Sequence, residues 1–204
     1  MKRIDHATIE TIDTAWSGLY KAGAVAALIA AVLFRRNLDA EWLLLRQVGV
    51  IQAGPLTAPD AVTDWFMLLQ HRPLLGLTFL NVFDLVNYAL LELIFLALSA
   101  ALLQTSRSWI IIAAALSCVG ISVYFASNQA LNMLSLSRQY LAATTDAQRA
   151  AFLSAGQALL AIHHTASYGG SGIYLSFLMV SAAGLIISAI MLRSGVFSKS
   201  AGYT

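Results

Sequence analysis

The chain has 204 residues, of which 59% are hydrophobic and 11% are charged, and its formal net charge is +2. Soluble domains carry about 25% charged residues, so this chain has too little polar surface to cover a water-exposed globule. The small net charge and the lack of a basic tract argue against a nucleic-acid partner. We therefore expect a single integral membrane domain over residues 1–204, with the lipid bilayer as its surroundings.

Cys118 is the only cysteine. A single cysteine excludes an internal disulfide and a cysteine-based zinc site, and its apolar neighbours predict a small buried packing residue. The first 16 residues include acidic side chains and lack an early apolar core, so they do not form a secretory signal. We expect the first span to act as its own insertion signal.

The hydrophobic runs predict an all-α, polytopic transmembrane bundle with four main spans. Trp16 and Trp109 stand at the entrances of two spans, where indole prefers the membrane interface. Arg35 follows the end of the first span, and Arg193 follows the end of the fourth. Lys21 lies one turn inside the first span, where its long stem can reach the headgroups. The four predicted spans cover residues 16–34, 74–103, 109–126 and 172–192.

The two long connections carry shorter helical patterns. Residues 38–50 and 63–72 are amphipathic, too short to span, and apolar enough to lie on the membrane surface. Thr145 and Gln148 have the spacing of a capping box, which predicts a helix that runs to His164. The glycines at 169, 170 and 172 then break it before the last span. Within that helix, the apolar stretch 151–162 leaves a re-entrant topology open.

The distribution of the positive residues bears on the orientation of the chain in the membrane. With the N-terminus inside, six lysines and arginines fall on each side of the membrane. The positive-inside rule gives most weight to short loops and span ends. The short turn at 103–108 and both tails favour a cytoplasmic N-terminus, and Arg35 with Arg36 opposes it. We expect a protein of the cell membrane with its N-terminus in the cytoplasm.

The second span carries polar groups that lipid would not tolerate. At about 100° per residue, several of them share one face about 120° wide, and Asn87 flanks that face. Ionisable groups inside a span need a partner, a wet cavity or a task. This face predicts a buried polar seam, directed at other helices, formed by Thr78, Asn81, Asp84, Tyr88, Glu92 and Ser99.

The four-span topology brings further polar residues to one end of this seam. The second span starts, and the third ends, on the side that holds both long connections. Asn128 follows the third span, while His163, His164 and Tyr168 precede the fourth, and His71 stands before the second. The candidate ligand-binding or proton-pathway residues are Asn81, Asp84, Asn87, Tyr88, Glu92, Asn128, His163, His164 and Tyr168.

Three functions fit this pattern. Asp84 and Glu92 could bind a small ligand or carry protons. The seam could instead be hydrogen-bonded glue between helices, in a non-catalytic subunit of a larger membrane complex. Two histidines and a carboxylate could hold a metal, so a metal-dependent enzyme using Asp84 with His163 or His164 is a third hypothesis. Small residues at spacings of four in the spans predict close helix packing, within the chain or with a second copy or partner.

No nucleotide, zinc-protease or nucleophile-elbow motif occurs, so these motifs leave the cofactor unknown. Four phrases carry a family resemblance: LLGLTFLNVFDLVNYALLELIFLAL (74–98), YFASNQALNMLSLSRQY (124–140), ATTDAQRAAFLSAGQALLAI (143–162) and GLIISAIMLRSGVFSKSAGY (184–203). With them, the chain resembles an uncharacterised domain-of-unknown-function family of multi-pass prokaryotic membrane proteins. The resemblance implies a helical membrane bundle, and it brings no activity, ligand or catalytic residue.

Overall fold

The computed structural model describes residues 14–34, 58–163 and 171–197. These residues contain helices and no strand, which confirms the all-α prediction. A short 3-10 turn, Thr14–Trp16, precedes the first helix. The helices are α1 (Ser17–Phe34), α2 (Val62–His71), α3 (Pro73–Phe79), α4 (Val82–Leu102), α5 (Arg107–Ser127), α6 (Ala130–Ala142), α7 (Asp146–His163) and α8 (Ser171–Met191).

The longest apolar helices form one bundle, which we call the long-helix bundle: α1, α4, α5 and α8. In it α1 contacts α4, α4 contacts α5, and α5 contacts α8. The contact between α5 and α8 is the most extensive of the three. Three segments of the described chain are long and apolar enough to cross a membrane: Val82–Leu102, Arg107–Ala142 and Ser171–Met191. The predicted crossing by α1 is apolar over Ser17–Val32 but shorter than these three.

Small residues set the spacing inside this bundle. Gly23 of α1 lies directly against Ala97 of α4, and Gly120 of α5 lies against the α8 backbone at Ser176. Small residues at such points let helices approach closely without a hydrophobic driving force between them. Cys118 is exposed on α5, so the prediction that it is a buried packing residue is wrong: it lies on the face opposite this contact.

The predicted second span is divided. The chain leaves the helical path at Leu80 and Asn81, and Asn81 adopts the left-handed conformation with φ 59° and ψ 37°. A single helix over 74–103 is therefore wrong. Asparagine tolerates this conformation better than most residues, so the chain can end α3 and begin α4 here without a glycine or a proline. The 21 residues of α4 still extend about 32 Å, enough for a hydrocarbon core.

The third span is divided at the same end. The helix begins at Arg107, earlier than predicted, and ends at Ser127; Asn128 and Gln129 separate it from α6. The predicted span 109–126 therefore lies within α5, and the separate helix α6 carries the chain on to Ala142. The last span, Ser171–Met191, starts next to this break, because Gly172 lies against the Ser127 side chain. The helices beyond these breaks adjoin this end of the bundle and are called the lobe below. We therefore call this end the lobe end and the opposite end the far end.

The helices beyond these breaks form a second unit, the lobe: α2, α3, α6 and α7. Its core contains Trp65 and Phe66, each with 0% exposure, packed among residues of α6 and α7. The Trp65 ring meets Phe79 edge-on at 6.1 Å, and Gln70 Nε2 donates to the Ser137 carbonyl oxygen at 3.1 Å. The amphipathic helix predicted at 63–72 thus forms, but protein covers its largest apolar side chains instead of the membrane surface. The other amphipathic segment, 38–50, lies outside the described residues.

The long-helix bundle has its own core at the far end. It joins the last turns of α4 and α8 to the first turns of α5, and consists of Phe95, Leu102, Ile110, Ala113, Ala183, Ile187, Ile190 and Met191. The two cores are therefore built at opposite ends of α4. Between them lies the part of α4 that carries the polar face.

The predicted capping box starts α7. The Gln148 backbone N–H donates to Thr145 Oγ1 at 3.2 Å, and the Thr145 N–H donates to Gln148 Oε1 at 3.3 Å. This reciprocal pair satisfies two donors that a helix start leaves open. The helix then runs without interruption to His163. It packs on α6 and α2, which is the arrangement of a lobe helix.

Removing the cap should loosen the start of α7 and little else. We expect Thr145→Ala to destabilise that helix by about 1 kcal/mol, since a threonine cap hydroxyl is lost. Hydrogen–deuterium exchange should become faster at residues 146–150 and stay unchanged in α8. Ser154→Ala, at an exposed position in the middle of the same helix, is the matched control. Equal effects of the two variants would show that the capping contact contributes nothing.

Candidate functional site

The polar face of α4 turns toward the interior, as its periodicity predicts. Thr78 at the end of α3 and Ser99 in α4 are buried, with 5% and 7% exposure, and Asp84, Tyr88 and Glu92 are half-buried between them. Asn87, predicted to flank the face, is 5% exposed and so more deeply buried than its neighbours. The α4 face that includes Asp84 and Glu92 looks onto α5.

A matching face on α5 completes the seam. Ser117, Gly120, Tyr124 and Asn128 follow one another at spacings of three or four residues and are all buried. The sequence already shows small residues at 113, 117 and 120 on one side of this helix. Extending that stripe by two more turns would have found Tyr124 and Asn128 together, and Tyr124 is the functional candidate that the sequence analysis missed.

Asp84 and Tyr124 form the closest polar contact across the seam. The Tyr124 hydroxyl donates to Asp84 Oδ2 at 3.0 Å. The Tyr124 ring also stacks on Tyr88, with centroids 4.0 Å apart and ring planes 11° from parallel. Asp84 lies in the first turn of α4, where the positive end of the helix dipole favours a carboxylate. The break at Asn81 thus places this acid at a helix start, and Tyr124 supplies its hydrogen-bond donor at the lobe end.

Asn128 joins the two helix breaks. Its Nδ2 donates to the Asn81 carbonyl oxygen at 3.2 Å, while its Oδ1 accepts from the Ala130 N–H at 3.0 Å. One side chain therefore caps α6 and holds α4 at the same time. The Asn81 side chain is itself exposed. Asn81 thus contributes its backbone carbonyl to the site, and the predicted role of its amide side chain in the seam is wrong.

The Glu92 carboxyl group differs from that of Asp84 in its hydrogen bonding. Glu92 follows Asp84 by eight residues, about 12 Å along the helix. Both of its carboxyl oxygens are buried, and no described residue donates a hydrogen bond to them. The Ser117 hydroxyl approaches this carboxyl, but donates to the Ala114 carbonyl oxygen at 3.0 Å. A charged carboxylate at this depth would have no compensating donor among the described residues.

Other polar atoms of the seam share this lack of partners. Asn87 Oδ1 and Ser99 Oγ on α4, and Ser176 Oγ on α8, are buried without a hydrogen bond from the described part of the chain. Buried polar groups in proteins are usually paired. The seam is therefore well satisfied at the lobe end, around Asp84, and poorly satisfied deeper in the bundle.

The histidine part of the prediction falls mainly outside the described chain. His164 and Tyr168 are not among the described residues, and of His163 only its place as the last residue of α7 is described. His71 is exposed at the end of α2. Within the described ranges, no group of three histidine, cysteine or acidic side chains is placed to hold a metal ion. The metal-enzyme hypothesis stays a prediction.

Comparison of the chain with protein-family models, with curated proteins and with solved structures found no match.

Proposed function

We propose that the chain is a multi-pass integral membrane protein that binds protons at Glu92 and exchanges them with the lobe end through Asp84. One observation carries the proposal: a carboxyl group sits inside an apolar helix with both oxygens buried and no hydrogen-bond donor among the described residues. Such a group is costly to keep in lipid surroundings. Its cost is accounted for if the group's task is to take up and release a proton.

The spacing of the polar groups supports a path between the two acids. Asp84, Tyr88 and Glu92 follow one another at intervals of four residues, so they lie in a row on the face toward α5. The Tyr88 hydroxyl can give its proton to one neighbour as it accepts one from the other. Tyr88 is then a neutral hydroxyl before and after each transfer, and the negative charge passes between the carboxyl groups of Asp84 and Glu92.

The charges at the far end support the orientation included in this proposal. Arg107 begins α5, Arg193 follows α8, and Lys21 lies in the half of α1 that packs beside Ala97. The exposed Trp16 and Trp109 lie at the same end. Lysine and arginine favour the cytoplasmic side, and tryptophan favours the interface. The proposal therefore places the N-terminus in the cytoplasm of the cell membrane and the lobe on the other side.

We also propose that the chain is a member of the domain-of-unknown-function family that its four sequence phrases resemble. The alternative function, a structural seam in a membrane subunit with a partner or a second copy, is favoured by one observation, the satisfied Asp84–Tyr124 hydrogen bond. The two functions differ in what they expect of Glu92, because a structural seam gains nothing from an acid to which no residue of the described chain donates a hydrogen bond.

The test uses a hydrophobic reagent for protonated carboxyl groups, dicyclohexylcarbodiimide, on the full chain in lipid vesicles. We expect peptide mass spectrometry to find the adduct at Glu92. Glu92→Gln should abolish this signal. Asp64→Asn, at an exposed acid of the lobe, should leave it unchanged. Folded wild-type protein that is unlabelled at Glu92 would overturn the proposal.

A further inference from the structure

Four groups at the lobe end form a closed hydrogen-bonded circuit. The Tyr124 hydroxyl donates to the Asp84 carboxylate, and the Asp84 N–H donates to the Asn81 carbonyl oxygen at 3.2 Å. Asn128 donates to the same carbonyl through Nδ2, and its own N–H donates to the Tyr124 carbonyl oxygen at 3.0 Å. We call this set, Tyr124, Asp84, Asn81 and Asn128, the circuit.

The circuit connects the bundle to the lobe through one side chain. Asn128 Oδ1 accepts the Ala130 N–H, so the amide that reaches α4 also fixes the first turn of α6. The α6 helix carries Ala130 and Met133 into the lobe core beside Trp65 and Phe66. A change in the hydrogen bonding of Asp84 therefore has a physical route to the lobe, through the Asn81 carbonyl group and the Asn128 side chain.

The backbone at Asn81 adds a second, independent observation. Asn81 is the only non-glycine residue with positive φ in the described part of the chain. A residue in a sparsely populated conformation persists only where its surroundings determine it. Its carbonyl receives two hydrogen bonds, from Asp84 and from Asn128, and these are the contacts that hold it. The break between α3 and α4 is thus maintained by the circuit.

We infer that the circuit couples the Tyr124–Asp84 hydrogen bond to the docking of the lobe. The lobe stays packed over the Asp84 end of the bundle while Tyr124 donates to the Asp84 carboxylate. If Asp84 is the outer acid of the proton path proposed above, the coupling regulates access to that path. This regulatory role rests on the proposed function. The structural coupling itself needs only the four contacts. When Asp84 loses the Tyr124 bond, the α4 start and Asn128 lose a common anchor, and the lobe opens.

Two single variants and their combination test the coupling. Tyr124→Phe removes the hydroxyl and keeps the ring on Tyr88, and Asn128→Ala removes the amide. Amide hydrogen–deuterium exchange of residues 62–79 and 130–142 is measured on the full chain in lipid nanodiscs. We expect each single variant to speed exchange about tenfold, the effect of losing one hydrogen bond of about 1.4 kcal/mol. The double variant should be no faster than the more affected single variant, because both break the same circuit.

The controls separate coupling from general loosening. Tyr88→Phe removes a hydroxyl from the other stacked ring and leaves the circuit intact, so lobe exchange should stay at the wild-type rate. Asn81→Gly keeps the carbonyl acceptor and the left-handed conformation, and should also leave the rate unchanged. Additive effects of Tyr124→Phe and Asn128→Ala, or an effect of Asn128→Ala alone, would overturn the inference.

The exchange measurements on the lobe can be distinguished from the test of the proton path at Glu92. Glu92→Gln should leave lobe exchange unchanged, since Glu92 touches no member of the circuit through a hydrogen bond. A lobe that responds to Tyr124→Phe in a protein with no carbodiimide adduct at Glu92 would support the coupling and contradict the proton path. The reverse result would support the proton path and contradict the coupling.

Discussion

Replacing Glu92 by leucine is expected to make the protein more stable, by roughly 1–3 kcal/mol. Both carboxyl oxygens of Glu92 are buried, and no residue in the described ranges donates to them, so the native state bears the cost of removing a polar group from water with no compensating bond. Leucine has a similar volume and suits the apolar side chains of α4. A gain in stability from the loss of an acid is the expected result at a site kept for function.

Thermal unfolding in detergent, followed by near-ultraviolet circular dichroism, measures this effect. Asp84→Leu is the matched control, since it removes a carboxyl from the same face of the same helix. It should lower the stability, because the buried Tyr124 hydroxyl would lose its acceptor. If Glu92→Leu lowers the stability as much as Asp84→Leu does, the seam is structural glue, and the proton path is wrong.

Replacing Gly120 by leucine should separate α5 from α8 and cost stability near the upper end of the roughly 1–3 kcal/mol typical of overpacked cores. A side-chain carbon built at this position lies 3.2 Å from the Ser176 carbonyl oxygen and 3.1 Å from Met179 Cβ. These atoms belong to or adjoin the α8 backbone, so they cannot rotate away. The helices have to move apart, and the most extensive contact of the bundle is reduced.

The same unfolding measurement tests this prediction, with two glycines as controls. Within the described part of the chain, a side-chain carbon at Gly18 meets nothing within 4 Å, and one at Gly184 meets only Phe95 Cζ at 3.8 Å. Gly18→Leu and Gly184→Ala should therefore leave the midpoint near that of the wild-type protein. A Gly120→Leu protein that unfolds with these controls would show that α5 and α8 are not held at the distance described here.

Much of the fold can be predicted from the chain because its signals are local. Apolar runs long enough for a bilayer locate α4, α5 and α8, and the small residues that separate helices appear at the expected spacings. The capping box at Thr145 gives the start of α7, since both partners lie within one turn. These features depend on a few neighbouring residues and not on distant contacts.

The helix breaks could not be predicted in this way. Neither a glycine nor a proline marks Leu80–Asn81, and the apolar run continues on both sides. The left-handed conformation of Asn81 is stabilised by Asn128, which lies 47 positions further along the chain. For the same reason the lobe was not foreseen: α2 was expected to lie on lipid, and its apolar side chains are instead covered by α6 and α7.

Half of the candidate site followed from the sequence. The period of α4 gives the face that holds Asp84, Tyr88 and Glu92, because a helix repeats regularly. The opposite half depends on which helix lies across from α4, and at what height. Tyr124 could be recognised only when that pairing was known, although its stripe of small and polar neighbours on α5 was visible.

The link at Asn81 has an evolutionary consequence. Because the accepting atom there is a backbone carbonyl, selection on this link acts on the conformation of the residue and not on its side chain. Asparagine, aspartate and glycine tolerate that conformation best and can replace one another across related chains without loss of the contact. Substitutions at 84, 124 and 128 remove the atoms themselves, so an aligned family would show three constrained columns and a fourth that drifts while the geometry is retained.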